Sequence, residues 1–148
     1  MLVSAHLPIN ATKPALWTAI TNIENAAQII TGIEKIEIVE KPVSGLVGLK
    51  WRETRILFGK PATVEKWITE AVENEFYQTK AQDGGFVFLT TMRIIETSDG
   101  LTLTSSHDTQ PQGFAARIMS LPMFFFKGMI KKHILQDLND IKAAVERG

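Results

Sequence analysis

The sequence predicts an α+β fold in which a curved antiparallel sheet of about seven strands wraps one long C-terminal helix. Three observations predict it. The tail, Phe114 to Glu146, reads as an amphipathic helix with a break near Pro122. Met123, Phe126, Ile130, Ile134, Leu138, Ile141 and Val145 recur there at steps of three and four and form one stripe. From Ile33 to Thr109 the hydrophobic period falls to two, in runs separated by turn residues. A helix from Met123 to Glu146 would run roughly 36 Å at 1.5 Å per residue, and only the sheet can cover a stripe of that length.

The elements follow in order. Leu2 to Ile9 alternates, with Val3, Ala5, Leu7 and Ile9 on one face, and is a first strand. Thr12 is an N-cap, with Pro14 in the first turn of a short helix that presents Leu16, Trp17 and Ile20. Thr21 and Glu24 fit a capping box for a second short helix, Asn22 to Ile30, ended by Gly32. Ile33 onward is a strand with Ile36 and Ile38 on one face, and Pro42 to Gly48 is a loop. Strands are expected at Leu49 to Phe58, Ala62 to Val72, Phe76 to Gln82, Phe86 to Thr97 and Leu101 to Thr109. Gly59-Lys60, Glu73-Asn74, Asp83-Gly84-Gly85 and Ser98-Asp99-Gly100 turn the chain between them. Such short connections make the sheet an antiparallel meander.

The 148 residues make one domain, 1–148, long enough to bury a proper core. A hydrophobic share of 45% and a charged share of 22% are globular values. Lys+Arg 16 against Asp+Glu 16 leaves no basic surplus, which argues against nucleic acid as a partner. No apolar run approaches a membrane span. There is no Cys, and MLVSAHLPIN has neither a basic n-region nor an apolar h-region, so a cytoplasmic protein is expected.

Several phrases, in their order, resemble the START-like, helix-grip superfamily, which includes the birch-pollen allergen fold and polyketide cyclase/dehydrase-type proteins (SRPBCC). Lys13 to Asn25 resembles its helix-pair entrance, and Gly32-Ile33-Glu34-Lys35-Ile36-Glu37 the exit into its second strand. Gly48 with Trp51-Arg52-Glu53 resembles its third strand, and Asp137 to Lys142 the end of its last helix. The resemblance covers essentially the whole chain. It implies a hydrophobic ligand cavity, but not one chemistry, since members bind lipids, sterols and polyketides and only some are enzymes. No catalytic signature carries over residue by residue.

The expected cavity lining combines both patterns. Phe86, Phe88 and Met92 share a face with Thr90 and Ile94, and Leu103 and His107 share one with Leu101, Ser105 and Thr109. Trp67 and the helix residues Met119, Met123, Phe126 and Ile130 complete the set. Methionines and aromatics suit an adaptable apolar pocket, although plain core packing uses the same spacing. His107 could hold a ligand hydroxyl or carbonyl, act as general base, or be a histidine satisfied by a neighbouring Ser or Thr. Glu53 and Glu65 are weaker catalytic candidates on the hairpin that also carries Arg55. A three-residue loop there sets Glu53 opposite Glu65 and Trp51 opposite Trp67; a two-residue loop, Gly59-Lys60, sets Glu53 opposite Lys66 as an ion pair.

No metal is expected. His6, His107 and His133 are dispersed, and His133 with Asp137 reads as a helix-surface pair. Gly84-Gly85 is too short for a phosphate loop, and no cofactor is expected. Phe124 and Phe125 fall off the main stripe beside Lys127, Lys131 and Lys132. They offer a transient contact to a membrane or a protein partner, unless loops or a dimer mate cover them. The function expected is carriage or binding of a hydrophobic small molecule between sheet and helix. The alternatives are a cyclase/dehydrase-type enzyme and an interaction protein using the aromatic patch. The residues do not specify the oligomeric state.

Overall fold

A computed structural model of the chain describes residues 1–147, apart from the side chains of Leu121, Met123 and Phe124. Seven strands form one sheet: β1 Leu2–Ile9, β2 Ile33–Glu40, β3 Lys50–Leu57, β4 Lys60–Val72, β5 Phe76–Asp83, β6 Phe86–Thr97 and β7 Gly100–Pro111. The spatial order is β1-β7-β6-β5-β4-β3-β2, with every pair antiparallel. The meander thus runs from β2 to β7, and β1 closes on its far side. Helices α1 Lys13–Thr21 and α2 Ala26–Ile29 lie between β1 and β2. The tail divides into α3 Phe114–Ser120, a 3-10 segment Leu121–Phe126, and α4 Lys127–Glu146.

Thr12 caps α1 by accepting from the Ala15 amide at 3.2 Å, and Pro14 sits in the first turn. The expected second helix is shorter than Asn22 to Ile30. A 3-10 turn over Ile23–Asn25 precedes the four residues of α2. The capping box does not form, because the Thr21 hydroxyl donates back to the Trp17 carbonyl at 2.7 Å. The long helix is shorter too. The segment around Pro122 winds as 3-10, so the regular helix starts at Lys127 rather than Met123 and runs ~30 Å. Ile134, Leu138 and Ile141 carry the buried stripe. None of the described helices is long and apolar enough to cross a membrane.

The β3–β4 turn differs from both expected registers, by one residue from the three-residue loop and by two from the Gly59-Lys60 loop. Its two loop residues are Phe58 and Gly59, both with positive φ (53° and 79°), as a type I′ hairpin turn requires. Leu57 therefore pairs with Lys60, and Glu53 lies opposite Val64 rather than Glu65 or Lys66. Trp51, Glu53 and Arg55 face inward, while Arg52 pairs with Glu65 on the outer face.

Leu16, Ile68, Leu103 and Leu138 are fully buried, one from each of α1, β4, β7 and α4. Trp17 of α1 meets Tyr77 of β5 edge-on at 6.2 Å, and the Tyr77 hydroxyl donates to the Ile20 carbonyl at 3.0 Å. That bond satisfies the one polar atom of a buried phenol and pins α1 over the sheet.

Candidate functional site

A cavity of about 90 Å³ lies between the inner sheet face, the α1–α2 segment and the C-terminal half of α4. Its helical wall is apolar apart from Asp137: Ile20, Ile23, Ile29 and Ile30 from the α1–α2 segment, and Leu138 and Ile141 from α4. Its sheet wall is polar, formed by Glu53, Arg55, Lys66, Thr79, Thr90, Ser105 and His107 together with Trp51, Tyr77 and Met92. The interior is thus two-sided, oily over helices and hydrogen-bonding over strands. A larger concavity, about 960 Å³, is an open surface groove between Pro8–Pro14 and Glu96–Leu101. It shares no lining residue with the interior cavity.

One ionic network spans the polar wall. Arg55 Nε donates to Glu53 Oε2 at 2.8 Å, and Lys66 Nζ donates to the same oxygen at 3.0 Å. Trp51 Nε1 donates to Glu53 Oε1 at 3.3 Å. The other face of the Arg55 fork grips Asp137 of α4 through two bonds, at 3.2 and 2.9 Å. Two cations balance two carboxylates, and the arginine ties sheet to helix bidentately.

Burial alone would raise the Glu53 pKa, but Lys66 and Arg55 outweigh it and hold the carboxyl at about 2. The same neighbourhood raises Arg55: burial opposes its charge, and Glu53 and Asp137 more than compensate. Tyr77 is raised by burial and then by Glu53. His107 is lowered to about 4, first by burial and then by the Lys66 and Arg55 charges. It is therefore neutral at pH 7, with Nε2 3.0 Å from the Ser105 hydroxyl.

Of the residues expected at the site, Met92 and His107 line the cavity, and Glu53 lines it as a fixed carboxylate. Leu103 points to the same side but is core, fully buried. Phe86 and Phe88 share that strand face, half-buried with ring centroids 6.2 Å apart, but lie outside the lining. Glu65 and Trp67 are corrections. Both sit on the outer face, Glu65 3.5 Å from Arg52 and 3.8 Å from Lys50, and Trp67 under the Lys50 ammonium. The slipped hairpin register sends them there.

The helix residues are corrected as well. Met119 and Phe126 are exposed and Ile130 packs partly against the core, so none lines the cavity. The side chains of Met123 and Phe124 lie outside the described residues, and Phe125 is 89% exposed. The helix contributes instead from the next turns, through Asp137, Leu138 and Ile141. Asp137 does not make the expected surface pair with His133, since Arg55 claims it. Lys66 and Asp137 were not singled out as site residues; a charged residue on an otherwise apolar inner face was the available signal.

No protein-family model and no curated protein sequence matches the chain. Solved structures do. A START superfamily protein from Mycobacterium smegmatis is 15% identical with a TM-score of 0.80, covering 99% of this chain and 97% of its own. The ginseng major latex-like protein 151 from Panax ginseng is 14% identical, with a TM-score of 0.76 and coverage of 97% and 96%. The Zhui aromatase/cyclase from Streptomyces sp. R1128 is 18% identical, with a TM-score of 0.74 and coverage of 99% and 94%. The shared element order, the seven-stranded antiparallel sheet and the helix laid across it give this chain the helix-grip fold of those structures.

Proposed function

We propose that the chain binds and carries an apolar small molecule, lipid- or polyketide-like, that ends in a hydrogen-bond acceptor. The observation that carries this reading is the division of the inner cavity into an apolar helical wall and a polar strand wall. An amphiphile matches both walls at once, its chain or ring against Ile23, Ile30 and Ile141 and its polar end toward Lys66, Ser105 and His107. An ammonium has three donors, and a single bond, to Glu53, engages Lys66. A carboxylate or carbonyl end fits the remainder.

The cavity holds only about 90 Å³. That is well short of the ~300 Å³ at which ligand pockets begin. Loading therefore requires the cavity to widen, and we infer that the segment from Ile23 to Ile33 moves outward. It is built of short helical pieces and is tied to α4 by the Thr31 amide and hydroxyl, each 2.9 Å from Asp140 Oδ2.

A cyclase or dehydrase reading rests on His107 and on the aromatase/cyclase among the similar structures. It is the weaker one. A base held near pH 4 is a poor proton acceptor at neutral pH, and Glu53 at about 2 is no acid. Thermal melting with long-chain fatty acids, sterols and aromatic polyketides tests the binding reading. A ligand present at a hundred times its Kd is expected to raise Tm by roughly 5–10 °C. No shift with any member would end the proposal.

A further inference from the structure

The apolar surface at the start of the C-terminal helix has a charge environment unlike the rest of the molecule. Phe114 (79%), Phe125 (89%) and Met119 (65%) are exposed, with Ile118 and Phe126 beside them in the chain. No residue from Phe125 to His133 is fully buried; Ile130 packs partly against the core and the others in this stretch are exposed. From Thr109 to Gln136 the sequence contains no Asp or Glu, yet it carries Arg117, Lys127, Lys131 and Lys132. Among the described residues none of these four cations is in a salt bridge. In a chain with no net charge, this is a segregated positive patch studded with aromatics.

We infer that this surface docks on an anionic lipid bilayer, with Phe125 and its apolar neighbours entering the headgroup region and the cations meeting the lipid phosphates and carboxylates. Aromatic and aliphatic side chains flanked by Lys and Arg are the combination that holds a helix in the plane of a charged interface. A second copy of the chain fits less well. A two-fold contact sets the same patch against itself and would bring four cations onto four cations. The patch is distinct from the ligand cavity, whose α4 lining begins at Asp137, so the inference stands whether or not the binding reading does.

The test is flotation of the full chain with phosphatidylcholine vesicles, with and without about a third phosphatidylserine, at low and high salt. The chain is expected to float with the anionic vesicles at low salt, and to be released by salt and by their omission. Phe125→Asp is expected to abolish flotation without changing Tm, because the side chain is exposed. Lys131→Gln with Lys132→Gln is expected to lower partitioning ~25-fold, at about fivefold per cation. No flotation at low salt, or flotation unchanged by Phe125→Asp, overturns the inference. So does light scattering that shows a concentration-dependent dimer abolished by Phe125→Asp in a chain that ignores vesicles.

Discussion

Glu53 and His107 look into the same cavity and set how the protein responds to acid. The Glu53 carboxyl is held at about 2, below the ordinary 4.5 of a free glutamate, so its contribution is full above pH 4.5 and is lost as pH falls through 2. His107 is held at about 4 against 6.5, because the fold keeps it buried and neutral near two cations. Between those values the unfolded chain binds its proton and the folded chain does not, so stability falls as pH drops from 6.5 to 4. Urea unfolding is expected to show a slope of up to ~1.4 kcal/mol per pH unit from His107 in that window. His107→Gln should flatten it there and leave the loss below pH 4.5 intact. Glu53→Gln should do the reverse, and should lower stability at pH 7 by about 3 kcal/mol, since Arg55 and Lys66 lose their shared counter-charge. Lys66→Met should weaken a carboxylate-ended ligand at least tenfold more than the matching alcohol, as measured by calorimetric titration. The inward face of His107 could be read from alternation along β7. The partner of Asp137 could not, because a helix pattern reports neighbours one turn away and Arg55 is 82 residues distant.

At the scale of the element, the β3–β4 turn decides which charges meet inside. Phe58 occupies a left-handed position with its ring 84% exposed, so it bears backbone strain without compensating burial. Phe58→Asn is expected to raise stability by about 1 kcal/mol and Gly59→Ala to lower it by a similar amount, read from thermal melts. The strand runs were legible because alternation persists through β4, β6 and β7, and their ends fall within two residues of expectation. The register was not legible. Gly59 marks the turn, but nothing in residue preference puts a phenylalanine at positive φ before it. The α4 stripe was legible from Ile134 onward, where the sheet covers it. It failed at Phe126, because the pattern continues in sequence where the backbone has left the α-helix around Pro122. Gly32, a helix stop by its place in the sequence, has a second use: a Cβ there would lie 3.1 Å from the Arg55 guanidinium, beside the fork that joins β3 to α4.

Over the whole molecule, the two ends of α4 belong to two different surfaces. The inner face of the sheet, with α1, α2 and the C-terminal half of α4, encloses the two-sided cavity. The other end of α4, with α3, carries the exposed aromatic and cationic segment. The resemblance to helix-grip proteins was legible in the order of elements and is matched by structures at 14–18% identity, which show the fold and no specific activity. Leu138→Ala should cost roughly 2–5 kcal/mol and enlarge the cavity where α4 seals it. Bulkier ligands should then bind more tightly relative to slim ones, measured as the change in Tm shift across one homologous series.

The most direct test is an NMR titration of the isotopically labelled chain with a medium-chain fatty acid. Saturable shifts are expected at Thr90, Ser105, His107, Leu138 and Ile141, with a rise in Tm. Spectra that do not change, or shifts confined to the open groove at Pro8–Pro14 and Glu96–Leu101, would contradict a ligand held between sheet and helix.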